Sequence, residues 1–223
     1  MEHNLQEQKN LDLLGQAAQV IGCKLEPIQF EQLHCYVCEL LKWNKKLSLT
    51  GLASEKDVIG NLVADSLAAY SLLGKEEPGS IIDIGTGGGI PGIPLKVAIP
   101  SARLTLVEPN QKKVAFLHLV VGTLGLKNVN IAATRIEQVK QVKNDDQGDL
   151  YHKVFDWVVI KGLRLESALP YVSEILSERG CMICWRAETV TTCHELFGLR
   201  VIKEVSYQLP FGFGPRILSV LGR

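Results

Sequence analysis

Asp83 and Glu108 are the residues of this chain best placed, by type and spacing, to do chemistry. Asp83 lies in the apolar run Ser80-Ile-Ile-Asp-Ile84, two residues ahead of glycines at 85, 87 and 89. Glu108 closes the next apolar run, Arg103-Leu-Thr-Leu-Val107, 19 residues after Gly89. Glycines just past a strand end allow positive φ and let a ligand approach the main chain without meeting a Cβ. A carboxylate at the end of the following strand can hold both hydroxyls of a ribose. The pair therefore predicts a nucleotide-type ligand. Gly87, Gly89 and Gly92 also satisfy the G-x-G-x-x-G spacing of dinucleotide enzymes, and Asp83 separates the two readings. A strand buried on both faces is apolar throughout in a dinucleotide fold, whereas an acid at that point suits the ammonium group of S-adenosylmethionine (AdoMet). The expected cofactor is AdoMet, with Asp83, Gly85, Gly87, Gly89 and Glu108 around it.

The elements that must position these residues are legible from periodicity. Residues 4–22 and 27–46 read as amphipathic helices, with Phe30, Leu33, Val37, Leu40 and Leu41 at three- and four-residue spacing and Gly22 and Pro27 between them. A third helix is expected over 54–73. From Ser80 the pattern alternates: strand 80–84, helix 91–98, strand 103–107, helix 110–124, strand 128–133, strand 155–160, helix 165–177, strand 180–186 and a short helix near 190–197. Pro91 stands where a helix can begin, because the first helical N–H has no partner to lose. Val139 to Lys153 reads as a polar surface loop. Alternation of this kind implies a mostly parallel, doubly wound sheet. The last two strands, 199–208 and 216–222, are joined so briefly that they must run antiparallel. The fold class is α/β, the Rossmann-like class I methyltransferase fold, with an antiparallel last strand. Residues 1–75 form an N-terminal helical extension and 76–223 the AdoMet-binding domain.

Composition narrows the remaining classes. The chain has 223 residues, 46% of them apolar, enough to bury a sizeable core. Its 24 basic and 24 acidic residues give a net charge of +0, so any nucleic-acid surface must be local. No apolar run approaches a membrane span, and the first residues resemble neither a signal nor a transit peptide, which predicts a cytoplasmic protein. Of six cysteines, Cys35/Cys38 and Cys181/Cys184 form C-x-x-C pairs. The first suits a helix core and the second a strand, where odd spacing turns the two side chains to opposite faces. No metal site is expected.

Four segments together resemble a known family, the bacterial 16S rRNA guanine-N7 methyltransferases called RsmG or GidB. They are Trp43-Asn44-Lys45-Lys46-Leu47-Ser48-Leu49-Thr50, Asp65-Ser66-Leu67, the block from Asp83 to Leu95, and Lys112-Lys113-Val114-Ala115-Phe116-Leu117. The resemblance runs from about Tyr36 to Leu221. It implies AdoMet bound by Gly85, Ile90, Ile136, Glu137 and Lys161. It also implies 16S rRNA or the small ribosomal subunit as partner; a monomer is expected. The chain departs from the family pattern at Leu62 and Ile217, where histidines are usual, and it has Lys161 for an arginine and Arg186 for a lysine.

The positioning candidates are Lys161, Arg186, Arg216, Asp65 and Ser66, and Lys45 and Lys46 join the three basic ones as candidates to contact phosphate or base. Asp65 and Ser66 can equally cap a helix. Phe211 and Phe213 can stack on a base or fill a hairpin core. A methyltransferase for a small molecule or a protein, and a binder without turnover, are the competing classes.

Overall fold

A computed structural model of the chain describes residues 2–73, 79–141, 154–163, 165–186 and 197–223. Most of the expected 139–153 loop and of the helix near 190–197 lies outside these residues, as do Arg164 and Cys193.

Helices α1 (Glu2–Ile21) and α2 (Pro27–Leu47) form the start of the chain. Pro27 opens α2 with its missing N–H at a position that needs none. The Gln29 side chain caps it by accepting from the Glu26 N–H at 2.7 Å. Leu33, Tyr36, Val37 and Leu40 repeat along one face, and all four are fully buried. At about 1.5–3 kcal/mol for each large apolar side chain buried, that face fixes α2 firmly to the body of the protein.

The helix expected over 54–73 is interrupted. It begins as α3 (Glu55–Val58), capped by Ser54, whose Oγ accepts from the Asp57 N–H at 3.1 Å. It then widens into a π turn, Ile59–Val63, and continues as α4 (Ala64–Leu67) and α5 (Tyr70–Leu73). A π turn inserts an extra residue into the helical register. Beyond it, Asp65 and Ser66 are buried. Gly60 is required inside the turn, since a Cβ there would stand 2.4 Å from Phe213 Cε2.

The strands are β1 (Ser80–Ile84), β2 (Arg103–Val107), β3 (Val129–Ala132), β4 (Phe155–Ile160), β5 (Leu176–Arg186), β6 (Arg200–Gln208) and β7 (Pro215–Gly222). They form one seven-stranded sheet in the order β3-β2-β1-β4-β5-β7-β6. β7 runs antiparallel to both its neighbours, and the other pairings are parallel. Between the strands run α6 (Gly92–Ala98), α7 (Gln111–Thr123), a 3-10 turn at Ile136–Gln141 and α8 (Leu165–Ile175). Pro91 stands one residue earlier than expected, as the N-cap of α6 and not within it.

Each face of the sheet is covered. Ile81, Leu106, Val159, Ile183 and Val220 join a core that also holds Leu14, Leu33, Tyr36, Ile59 and Phe116. The helices of residues 2–73 therefore share their core with the sheet. The opposite face, with Ile82, Ile84, Val158, Ile160 and Met182, packs against α8. The two β5 cysteines do face opposite ways, Cys184 into the second core and Cys181 toward the first. On α2 the expectation fails in part, because Cys35 packs on the core while Cys38 is exposed, with Sγ 3.7 Å from His34 Nε2. The α2 apolar face is already filled by Tyr36, Val37 and Leu40.

Candidate functional site

At the C-terminal end of β1 the chain enters the turn Gly85–Pro91, pinned to β2 by Gly85 and Thr86 N–H groups that donate to the Val107 carbonyl at 2.9 and 3.1 Å. Gly85, Gly87 and Gly89 all have positive φ, at 70°, 57° and 91°. A Cβ on Gly87 would meet nothing nearer than the Gly85 carbonyl oxygen at 4.0 Å, so its backbone can be approached closely. Gly88 differs, because its flank is filled from the N-terminal helices. Leu40 Cδ1 would lie 2.8 Å from a Cβ there, Leu49 packs beside it, and Tyr36 donates its hydroxyl to the Gly88 carbonyl at 2.7 Å. Tyr36 is wholly buried, and burial together with nearby Asp83 raises its pKa well above the ordinary phenol value.

Asp83 is wholly buried beneath this turn. Its Oδ2 accepts from Thr86 Oγ1 at 2.6 Å and from the Gly92 N–H at 2.8 Å, clamping both ends of the turn. Its Oδ1 is buried with no hydrogen-bond partner among the described residues. Burial pushes the carboxyl up to about 7, against the pull of those two hydrogen bonds and of Lys161. A buried acceptor left without a partner costs about 1–3 kcal/mol, so a ligand cation reaching Oδ1 would recover that cost. Glu108 accepts from the Gly87 N–H at 3.0 Å through Oε2 and from the Asn110 N–H at 2.9 Å through Oε1. Each carboxylate oxygen keeps a second lone pair for a hydroxyl. These features fit AdoMet, with an acceptor for its ammonium, a carboxylate for its ribose and an open glycine backbone between them. Ile90 closes the turn, donating its N–H to the Thr86 carbonyl at 3.0 Å. Ile136 and exposed Glu137 open the 3-10 turn after β3, at the same edge of the sheet.

Next along that edge lies a network built on Asp65. Lys161, just past β4, places Nζ 2.6 Å from Asp65 Oδ2 and donates to the Asn61 carbonyl at 3.1 Å. Tyr207 on β6 donates its hydroxyl to Asp65 Oδ1, and Trp185 on β5 donates Nε1–H to the Asp65 carbonyl at 2.7 Å. Burial lowers the Lys161 pKa, with Asp65 opposing and Arg216 adding to the shift. Burial first, and then Asp65, holds the Tyr207 phenol far above its ordinary range. Asp65 is thus neither a cap nor a solvated charge.

Arg216 joins this group from β7, where its Nη1 donates to the Pro215 carbonyl at 2.8 Å. Arg186 ends β5 opposite Ile217. Ser66 is a correction to the expected set, since its Oγ donates back to the Leu62 carbonyl at 2.6 Å and it is fully buried within its helix. Lys45 and Lys46 are exposed in the last turn of α2, with Lys46 Nζ 5.9 Å from the Trp43 ring centre. Phe211 and Phe213 meet edge to face at 6.3 Å, half-buried and packed on Gly60. Asn44 is structural: it accepts from Thr50 N–H at 2.8 Å and donates to the Leu52 carbonyl at 3.0 Å, shaping the loop that carries Leu49 to the glycine turn.

Sequence reasoning missed Tyr36, Trp185 and Tyr207. Their hydroxyls and indole meet partners 52, 120 and 142 residues away. No spacing within a strand or helix signals such a meeting, and an aromatic residue at a core-facing position is the only trace.

Comparison with known proteins agrees with this geometry. The family model described as rRNA small subunit methyltransferase G matches residues 29–197. A protein named ribosomal RNA small subunit methyltransferase G from Alkaliphilus oremlandii is 31% identical over 208 residues, covering 90% of this chain and 84% of its own length. A protein of the same name from Roseiflexus sp. is 33% identical over 217 residues, covering 96% and 91%. Among solved structures, a SAM dependent methyltransferase from Aquifex aeolicus is similar in fold, with TM-score 0.50 and 16% identity over 70% of this chain and 89% of its own. The chain belongs to the rRNA small subunit methyltransferase G family.

Proposed function

We propose that this protein transfers the methyl group of AdoMet to N7 of a guanine in 16S ribosomal RNA. Family membership carries the class, an AdoMet-dependent small-subunit rRNA methyltransferase. The single observation that best supports the finer reading is the order of groups along one sheet edge. Glu108 stands just past β2 and Asp83 on β1, beside the glycine turn, and the cations Lys161, just past β4, and Arg216, on β7, follow.

Bound AdoMet supplies an electrophilic methyl group on a sulfonium. Asp83 Oδ1 would accept from its ammonium, Glu108 would take the ribose hydroxyls, and the backbone from Gly85 to Gly89 would lie against it, with Ile90, Ile136 and Glu137 as the remaining contacts and Lys161 left to the target base. Guanine N7 carries a lone pair and no proton, so its attack needs no general base. Leu62 and Ile217 replace the family's histidines without loss of a required group. Catalysis then rests on holding the two reactants in line. The methylated ring gains positive charge, which directs Lys161 and Arg216 to guanine O6 or to phosphate and away from N7. Lys45, Lys46 and Arg186 are further RNA contacts.

No helix among the described residues is long and apolar enough to cross a membrane. We place the protein in the cytoplasm as a monomer, residues 1–75 serving as the helical extension that presents RNA to the domain of 76–223.

The test is methyl transfer from labelled AdoMet with under-methylated 30S subunits present or omitted. Label entering ribosomal RNA only when subunits are present supports the reading. Label on a protein or a small molecule, independent of RNA, contradicts it.

A further inference from the structure

Lys161 is a cation without a rigid direction of its own. An ammonium on a four-carbon stem is a point charge with three donors, whereas an arginine presents a planar fork already aimed. Here the direction is imposed from outside. Two of the three Lys161 donors are taken among the described residues, one by Asp65 Oδ2 at 2.6 Å and one by the Asn61 carbonyl at 3.1 Å. Both acceptors stand on the interrupted helix, Asn61 in its π turn and Asp65 in α4 just after it. Asp65 in turn is held from two further strands. Tyr207 on β6 bonds its other carboxylate oxygen, and Trp185 on β5 bonds its backbone carbonyl at 2.7 Å. One Lys161 donor is left for a ligand. Asp83, on the cofactor side, and Arg216, on the side expected to meet RNA, both act on the Lys161 charge.

We propose that Tyr207 is a positioning residue for methyl transfer: through Asp65 it fixes the Lys161 ammonium so that its remaining N–H meets an acceptor oxygen of the target base. For a guanine attacked at N7 that oxygen is O6, the neighbouring acceptor on the same edge of the base. Adenine shares N7 but carries an amino donor where guanine has O6. A cation held there accepts guanine and rejects adenine, which gives the device a reason to be rigid. The inference rests on the rRNA methyltransferase reading and adds to it how the acceptor base is held.

The test is a set of variants assayed on under-methylated 30S subunits, with AdoMet affinity measured by calorimetry in parallel. Tyr207→Phe should lower single-turnover kcat about tenfold, the size of one lost hydrogen bond to a charged group, while AdoMet Kd stays within about twofold. In a Lys161→Met background, Tyr207→Phe should cost nothing further, because the group it positions is gone. In a Lys161→Arg background its cost should shrink, since the fork needs less alignment. A merely structural tyrosine would lower activity by the same factor in all three backgrounds, and that result overturns the proposal. An AdoMet affinity that falls in step with kcat overturns it too, by assigning Lys161 to the cofactor. Should Tyr207→Phe unfold, Asp65→Glu, which keeps the charge and displaces it, must show the same dependence on background. A parent protein that methylates no ribosomal RNA removes the methyltransferase reading itself, an outcome distinct from parent activity without the coupling.

Discussion

Tyr36 and Gly88 are 52 residues apart in sequence and joined by a 2.7 Å hydrogen bond, from the phenol on α2 to a carbonyl in the middle of the glycine turn. The turn expected to carry the cofactor is therefore braced from the N-terminal helices by a side chain that solvent does not reach. That brace ties the N-terminal helices directly to the glycine turn.

Tyr36→Phe keeps the ring and removes the donor, leaving the Gly88 carbonyl buried without its partner. The loss should be about 1–3 kcal/mol of stability, read as a lower Tm. AdoMet affinity should weaken several-fold by calorimetry, with RNA affinity unchanged. Unchanged Tm and AdoMet affinity would mean that the turn holds its shape alone.

Asp83 predicts how stability and cofactor binding change with pH. Its folded pKa, about 7, lies above the ordinary carboxyl value, so the cofactor-free native state keeps a proton that the unfolded chain has released. Stability should then fall as pH rises from about 4 to about 7 and level off beyond. Asp83→Asn should abolish that fall. AdoMet, which would pair its ammonium with the ionised carboxylate, should bind more tightly as pH rises toward 7, by up to about tenfold per pH unit below it. A calorimetric affinity constant from about pH 5.5 to about pH 7.5 would remove Asp83 from the ammonium site. Single-turnover kcat at saturating AdoMet should stay nearly flat from about pH 6.5 to about pH 8.5.

Gly60→Ala would drive a Cβ to within 2.4 Å of Phe213 Cε2. Overpacking of this kind costs about 1–3 kcal/mol, and here it also pushes the Leu209–Gly214 connection off the π turn. Denaturant unfolding should show a lower midpoint with unchanged slope. An unchanged midpoint would mean that the phenylalanines are not seated there in solution.

Basic residues on a neutral chain predict a modest salt effect. RNA affinity should fall on a slope of roughly −0.7 per phosphate contacted in single-stranded RNA. Arg186→Ala and Arg216→Ala should each lower methylation of 30S subunits more than AdoMet binding. Salt-independent turnover, or variants equal to the parent, would favour a small-molecule acceptor.

The sheet was readable because its signals are local. Strands 80–84, 103–107 and 155–160 stand where their apolar runs lie, and the glycines at 85, 87 and 89 do take positive φ. Asp83 was legible as a buried acid only because a charge in an apolar run has few other uses. The π turn at Ile59–Val63 was not, since one added residue barely disturbs the local apolar rhythm, and the side chain packed on its Gly60, Phe213, comes 153 residues later. Ser66 looked like a site residue beside Asp65. Its hydroxyl instead bonds one turn back along its own helix, as serine does where solvent is absent. Tyr207 and Trp185 gave no sign in sequence because their partner, Asp65, is brought to them only by the tertiary fold.

The central claim, methyl transfer to guanine N7, is tested most directly by the chemical identity of the product. Under-methylated 30S subunits are incubated with the protein and labelled AdoMet, the 16S RNA is digested to nucleosides, and the labelled nucleoside is identified by chromatography and mass. The account predicts that the label elutes as 7-methylguanosine. Label on an exocyclic amine, a ring carbon, a ribose or a nucleoside other than guanosine would contradict it.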